Sequence, residues 1–282
     1  MNSTTILQHQ QQIIQELGVQ PMIELNHELQ HRIAFICAYA RAARAQALVL
    51  GISGGVDSLV VGCLAQRAVK QMRAEGETIH FVAMRLPYGT QVDAADAEAC
   101  LQVIQPDRCL NVDIQPATDA LMHQLEVAGQ GFSTVQRRDF ILGNIKARQR
   151  MIAQYTCAAA ENGLVLGSDH AAEAVTGFFT KYGDGAADLM PLTGLNKRQV
   201  RALGRYMGAP EHLVEKIPTA DLESLNPMQA DEASFGVRYT QIDDFLEGKS
   251  IEPEAAERII QLFLGSAHKR HMPAHPPRPL AD

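Results

Sequence analysis

The chain has 282 residues, a net charge of −7 and 46% hydrophobic residues. This content is enough for a sizeable core in one large domain or two small ones. An acidic chain lacks the basic footprint of a duplex-binding protein, and no apolar run approaches the roughly 18 residues of a membrane span. We therefore expect neither a nucleic acid nor a membrane as a partner.

Two features of the sequence bear on its compartment. The N-terminal segment MNSTTILQHQQQIIQEL has neither a basic start nor a long apolar stretch, so it does not resemble a secretory signal. The cysteines are dispersed and form no C-x-x-C pair, which is typical of free thiols in a reducing compartment. We therefore expect a cytoplasmic protein.

The predicted elements begin with helices and continue as alternating strands and helices. Periodic apolar positions predict helices at 6–17 and about 21–45. Strands are expected at 47–52, 78–86, 109–114 and 163–168, and helices at about 56–75, 92–104, 116–127, 134–161, 196–207, 227–236, 238–247 and 253–266.

This order of elements predicts the fold class. Strands that alternate with helices and are apolar along their length are typical of a parallel sheet covered on both faces. The prediction is an α/β fold, a doubly wound parallel sheet flanked by helices. We expect a single domain over 1–282, with N-terminal helices at 1–45, an α/β core at 46–265 and a mobile, proline-rich tail at 266–282.

The stretch GISGGVDS at 51–58 lies where the first strand ends and a helix begins. Its glycines allow a tight turn with exposed N–H groups, and the helix start adds unpaired donors, so the stretch is expected to bind phosphate. A Walker loop has a lysine after its glycines, but Asp57 stands here instead. A carboxylate beside phosphates is repulsive unless a cation lies between them, which predicts Mg²⁺ at Asp57.

Longer segments select one family among the enzymes that share such a loop. SGGVDS resembles the loop of the ATP pyrophosphatases, a group that includes several ligases and tRNA-thiolating enzymes. The segment GSDHAAEAVTGFFTKYGDGAADLMPLTGLNKRQ at 167–199 resembles the core motif of NAD synthetase. GNIKARQRM at 143–151, PTADLE at 218–223, IDDFLEGK at 242–249 and AHKR at 267–270 resemble the same family in order.

The resemblance implies a Rossmann-like fold of the ATP pyrophosphatase type and a specific reaction. The family adenylates deamido-NAD with ATP and lets ammonia displace AMP, giving NAD, AMP and pyrophosphate in the last step of NAD biosynthesis. It also implies Mg²⁺ as the cofactor and a homodimer. Only about 46 residues precede the loop, too few for a glutamine-using amidase domain, so free ammonia is the expected nitrogen donor.

The resemblance also implies roles for individual residues. Those of the ATP site are Gly51, Ile52, Ser53, Gly54, Gly55, Val56, Asp57, Ser58, Arg85, Gln91, Ser168, Lys197 and Thr219. Asp57 and Glu173 are the expected Mg²⁺ ligands. The expected contacts to deamido-NAD are Arg148, Lys181, Asp188, His268 and Lys269. Catalysis is assigned to Asp57, Glu173 and Lys181 through electrostatics, with no general base.

Two positions depart from the family pattern. Ser168 stands where threonine is common, and because the hydroxyl is retained we expect ATP binding to be retained. Ala186 stands where a second glycine is frequent. Alanine would be strained at a positive φ, so we expect an ordinary backbone conformation there.

A second motif, HELQH at 27–31, matches the H-E-x-x-H pattern of zinc proteases. His27 and His31 are each two residues from Leu29, so they are expected to point away from the apolar stripe of their helix. No third ligand pattern follows. We interpret these histidines as facing solvent or a partner.

Two other functions remain as alternatives. A tRNA-modifying ATP pyrophosphatase would need a basic surface and usually a cysteine pair. A nucleotide-binding sensor without catalysis would not need Asp57, Glu173, Lys181 and Lys197 together.

Overall fold

A computed structural model describes residues 1–91, 93–219, 222–225 and 229–276. A parallel sheet lies at its centre, with strands β1 (Ala47–Gly51), β2 (His80–Arg85), β3 (Arg108–Asn111) and β4 (Gly163–Val165). The order across the sheet is β3-β2-β1-β4, so the chain winds outward from β1 in one direction and returns to add β4 on the other side. The predicted doubly wound parallel sheet is confirmed.

Helices surround this sheet. They are α1 (Ser3–Leu17), α2 (Leu25–Ala43), α3 (Val56–Ala74), α4 (Ala94–Ile104), α5 (Gln115–Val127), α6 (Val135–Ala160), α7 (Ala171–Thr176), α8 (Lys197–Tyr206), α9 (Glu211–Val214), α10 (Asp231–Phe235), α11 (Tyr239–Leu246), α12 (Pro253–Gly265) and α13 (Ala267–Arg270). None in the described part of the chain is long and apolar enough to cross a membrane.

Both faces of the sheet are buried, as the apolar strands predict. Leu48 and Leu50 of β1 point into a core shared with α2, α3 and α8. Val49, between them, points to the opposite face with Val82 and Val165, against which α6 packs. A separate apolar cluster joins α1, α7, α11 and α12. This cluster fixes α7 beside the carboxyl end of the sheet.

The differences from the predicted elements are local. The short helices α7, α9 and α13 are not predicted, because four to six residues carry too little periodic pattern. The helix expected from 227 begins at Asp231, and 226–228 lie outside the described residues.

The tail expected to be mobile begins in an ordered turn. Lys269 donates to the carbonyls of Gly177 and Phe179, and Arg270 donates to the carbonyl of Ala174. Residues 277–282 lie outside the described residues, so the mobility of the tail stays a prediction.

Candidate active site

A cleft opens at the carboxyl ends of β1 and β4, the switch point of the sheet, where ligands of such folds bind. The loop at 51–58 forms its floor, and α6, α7, α8 and residues 216–219 form its walls. Twelve predicted residues line it, namely Gly51, Ile52, Ser53, Gly55, Val56, Asp57, Ser58, Gln91, Ser168, Glu173, Lys197 and Thr219. Gly54 and Arg85 do not line it; Gly54 lies within the loop and Arg85 ends β2.

The loop has the geometry of a phosphate site. Gly54 has φ +89°, and a Cβ there would lie 2.9 Å from the backbone nitrogen of Ala97, so the position requires glycine. Gly55 caps α3 without a side-chain hydrogen bond, which leaves N–H groups of the first turn free for an anion. The Ser58 hydroxyl donates to the carbonyl of Gly55 and braces the turn.

Asp57 and Lys197 meet above this loop. The ammonium of Lys197, 1% exposed, donates to both carboxylate oxygens of Asp57 at 2.9 and 2.6 Å. Burial alone would raise the pKa of Asp57. The charge of Lys197, with His170 adjacent, outweighs burial and holds that pKa well below its usual value. The sequence places these residues 140 positions apart, and the fold turns them into one ion pair.

Glu173 and Asp57 belong to one group of side chains that could hold a cation. One ligand atom each from Asp57, His170 and Glu173 lies within 4.8 Å of the others. Burial raises the pKa of Glu173 well above its usual value, and repulsion from Asp169 and Asp57 adds to this. Clustered carboxylates of this kind are relieved by a cation, and hard oxygen ligands suit Mg²⁺. The residues present therefore fit the metal that the sequence predicts.

The start of α8 aims Lys197 at this site. Asn196 forms a capping box with Gln199. The carboxylate of Asp243 accepts the backbone N–H groups of Lys197 and Arg198 at 2.9 and 3.0 Å. Burial raises the pKa of Asp243 to about 6, although these N–H groups act against the rise.

The residues expected to bind deamido-NAD do not line the cleft. Arg148 donates to the carbonyl of Lys181, and the ammonium of Lys181 donates to the carbonyl of His268 at 2.6 Å. The structure therefore brings these three together. Lys269 points inward to the carbonyls after α7. Asp188 lies apart, at the edge of the sheet, where its carboxylate accepts the N–H of Val165 at 2.7 Å.

Sequence reasoning missed several residues of the cleft wall, including Arg150, Gln154, Asp184, Lys216 and Asp231. The ammonium of Lys216 contacts Asp93 at 2.5 Å, Asp96 at 2.8 Å and the carbonyl of Gly54 at 3.3 Å. It thereby holds the segment before Thr219 against the loop. In the sequence, the position of Lys216 two residues before PTADLE is the signal that could have indicated a residue of this cleft.

Gln154 offered no comparable signal in the sequence. Its amide oxygen accepts the N–H of Gly51 at 2.7 Å. That contact depends on where α6 crosses the sheet, which the helix pattern does not specify.

The two departures from the family pattern cause no strain. Ala186 is not among the described non-glycine residues with positive φ, which are Arg44, Gln105, Asn162 and Tyr182. The expectation for Ala186 is confirmed, and the non-glycine residue with positive φ in the segment 167–199 is instead Tyr182, at φ 61°. Ser168 lines the cleft, and the binding of ATP by its hydroxyl stays a prediction.

The H-E-x-x-H match does not form a metal site. His27 and His31 lie on the exposed side of α2, with ring centroids 6.4 Å apart. The Glu28 carboxylate pairs with Arg32 instead. Among the described residues, the one set of three or more ligating groups at metal-binding spacing is Asp57, His170 and Glu173.

Comparison with known proteins decides the family. The family model described as NAD synthase matches residues 28–273. The chain belongs to the NAD synthase family. An NH(3)-dependent NAD(+) synthetase from Streptomyces coelicolor is 53% identical over 267 residues, which are 95% of this chain and 97% of that protein.

Solved structures of similar proteins share the fold. The crystal structure of NAD+ synthetase from Burkholderia pseudomallei has a TM-score of 0.82 at 49% identity, covering 95% of this chain and 98% of its own. The structure of NMN synthetase from Francisella tularensis has a TM-score of 0.79 at 33% identity, covering 90% and 99%. Membership of the NAD synthase family does not favour the tRNA-modifying or sensor alternatives.

Proposed function

We propose that this chain is an ammonia-dependent ligase that converts deamido-NAD, ATP and ammonia into NAD, AMP and pyrophosphate. The observation that carries the proposal is the Asp57–Lys197 pair above the S-G-G-V-D-S loop, with Glu173 beside it. This arrangement offers an anion-binding loop, carboxylates suited to a cation and a buried positive charge in one cleft. Relatives about half identical over nearly their whole length carry the name of this activity.

Adenylation is the first chemical step. A carboxylate does not accept ammonia directly, because oxide would have to leave. The nicotinate carboxylate of the substrate attacks the α-phosphorus of ATP, and pyrophosphate departs into the loop. In the transition state, negative charge builds on the α-phosphoryl group and on the departing pyrophosphate. The loop, Lys197 and Thr219 line the cleft, so they are suited to stabilise this charge.

Asp57 and Glu173 are the residues that would hold Mg²⁺. The ion, when bound, neutralises phosphate charge and lets an aspartate lie beside the pyrophosphate. Lys197, whose ammonium donates to both carboxylate oxygens of Asp57, would add its positive charge to that of such an ion beside the phosphates.

Ammonia displaces AMP in the second step. The nitrogen attacks the acyl carbon, the bond to the AMP oxygen breaks, and one proton must leave the nitrogen. Burial raises the pKa of Asp169 and that of Glu173 well above the usual range. A carboxylate with a raised pKa is suited to accept this proton, and of these two Asp169 is the one that is not a proposed Mg²⁺ ligand.

We also propose that residues near the tail bind the dinucleotide and that two copies of the chain form a dimer. Arg148 donates to the carbonyl of Lys181 and Lys181 to that of His268, so the three lie together, and the side chains of Arg148 and Lys181 offer positive charge to a dinucleotide. Phe35 and Tyr39 of α2, whose rings lie 6.3 Å apart, and Ile152 of α6 are large exposed hydrophobic side chains, which supports pairing of two copies. Sedimentation equilibrium tests the dimer.

All five cysteines are free, which supports a reducing, cytoplasmic location.

One experiment tests the reaction and its substrate together. The protein is incubated with Mg²⁺, ATP and ammonium and with either deamido-NAD or nicotinate mononucleotide. The second substrate is included because one relative in structure is an NMN synthetase. The higher identity to NAD synthetases predicts a kcat/KM at least about tenfold higher for the dinucleotide. A preference for the mononucleotide would refute the substrate assignment, and no turnover with either would refute the function.

A further inference from the structure

His170 occupies a position that the proposed mechanism leaves unused. It is the N-cap of α7, three residues before Glu173, and its side chain is fully buried. The Nδ1 atom accepts the backbone N–H of Ala172 at 3.2 Å. An atom that accepts a hydrogen bond carries its lone pair and no proton, so the neutral ring has its proton on Nε2.

The Nε2 atom faces the cation site. It lies 3.4 Å from Oδ1 of Asp57 and 3.8 Å from Oε2 of Glu173. In the described part of the chain it has no hydrogen-bond partner of normal geometry. A fully buried donor is thus aimed between the two carboxylates without a settled partner.

We propose that His170 is a positioning residue, whose Nε2–H is shared by Asp57 and Glu173 and orients their remaining oxygens toward the divalent cation. The inference rests on the proposed function, because it assigns the role of His170 toward the cation of that reaction. Donors of this kind behind metal-binding groups fix ligand orientation and commonly change metal affinity by about 10–100-fold.

The same geometry argues against His170 as a ligand itself. Coordination through Nε2 would move the ring proton to Nδ1. That nitrogen would then point a donor at the N–H of Ala172, and the cap of α7 would be lost. A ligating imidazole would also favour Zn²⁺ or Ni²⁺ over Mg²⁺, which suits an ATP site poorly.

Two substitutions test the roles of the Nδ1 and Nε2 atoms separately. In His170→Asn the amide oxygen lies near the Nδ1 position, so it can cap Ala172 but cannot reach the carboxylates. In His170→Gln the amide nitrogen lies near the Nε2 position, so it can donate to the carboxylates while the cap is lost. His31→Asn, on the exposed side of α2, is the control.

Binding of Mn²⁺ is measured by electron paramagnetic resonance in the presence of a non-hydrolysable ATP analogue, with thermal unfolding alongside. We expect His170→Asn to keep a Tm close to that of the wild type and to bind Mn²⁺ about tenfold more weakly. We expect His170→Gln to recover part of the affinity at a lower Tm, and His31→Asn to match the wild type. Equal Mn²⁺ affinity in His170→Asn and the wild type would overturn the proposal, as would a failure of the wild type to bind Mn²⁺.

A second readout keeps the proposal testable if either variant does not fold. In the ¹⁵N spectrum of the wild-type protein, the Nε2 proton of His170 should persist when Mg²⁺ and the analogue are added. Loss of that proton on metal addition would identify His170 as a ligand and overturn the proposal. These measurements need no turnover, so they are independent of the NAD-forming assay that decides the proposed function.

Discussion

The ion pair of Asp57 and Lys197 has a different role in the site without a cation and in the site with one. The Lys197 ammonium is almost fully buried and holds a carboxylate that is 18% exposed. Removing one partner of such a pair leaves an uncompensated charge in a low-dielectric site, which commonly costs about 3–5 kcal/mol. A divalent cation at Asp57 would supply the missing positive charge.

We predict that Lys197→Met lowers the free energy of unfolding by about 3 kcal/mol without metal. Millimolar Mg²⁺ should stabilise this variant more than it stabilises the wild type. Urea unfolding with and without Mg²⁺ measures both effects. Lys249→Met, which removes an exposed lysine paired with Asp244, should change little. A variant as stable as the wild type without Mg²⁺ would show that the pair contributes nothing.

At the scale of elements, the phosphate loop depends on one glycine more than on its neighbour. Gly54 has a positive φ and faces the backbone of Ala97 at the start of α4. Gly55 has φ −91°, and a Cβ there would meet only the Ser53 hydroxyl at 3.5 Å. Adjacent glycines therefore have different reasons to be present.

We predict that Gly54→Ala destabilises the fold by about 1–3 kcal/mol and weakens ATP binding, because the loop must shift. Gly55→Ala should lie within about 0.5 kcal/mol of the wild type. Chemical unfolding and calorimetric titration with ATP analogues give the two values. Equal destabilisation by both substitutions would mean that the loop geometry described above is wrong.

The start of α8 gives a prediction about pH. Asp243 has a pKa of about 6 in the folded protein and an ordinary value near 4 when unfolded. The folded protein therefore binds this proton more tightly. The stability that Asp243 contributes is greatest below about pH 4 and is lost as the pH rises through about 6.

Asp243→Asn resembles the protonated side chain at every pH and should lack this dependence. From about pH 4 to about pH 7, the stability of the wild type should fall relative to the variant by up to about 3 kcal/mol. Urea unfolding at both pH values measures it. Asp244→Asn is the control. Because the hydrogen bond to Lys249 lowers the pKa of Asp244, the stability of the wild type relative to this variant should rise with pH. A wild-type-to-variant difference that is independent of pH would contradict the burial of Asp243.

At the scale of the whole molecule, the sequence predicted the parallel sheet, and most of the residues that it proposes for ATP line one cleft. Apolar strands such as Ala47–Gly51 need cover on both faces. A loop of the sequence SGGVDS is typical of the place where a strand ends and a helix begins. The order of the elements therefore places the residues of this loop at the carboxyl end of β1. Lys197 and Asp57 could be named as residues, because both lie in motifs, although their ion pair appears only in the folded chain.

The residues that sequence reasoning missed depend on how elements cross. Gln154 reaches Gly51 because α6 packs across the sheet beside β1 and β4, and no periodicity specifies that crossing. His170 looks like part of a motif, but its role depends on which ring atom caps α7. Hydrogen-bond direction of this kind is set by tertiary packing and not by spacing.

Oxygen transfer tests the central claim, adenylation of a carboxylate, most directly. Deamido-NAD labelled with ¹⁸O in its nicotinate carboxylate is incubated with the protein, ATP, Mg²⁺ and ammonium, and the products are separated and weighed by mass spectrometry. The account predicts NAD and AMP in equal amounts, with one ¹⁸O in the phosphate of AMP and none in pyrophosphate. Formation of ADP, or label in inorganic phosphate with unlabelled AMP, would contradict it.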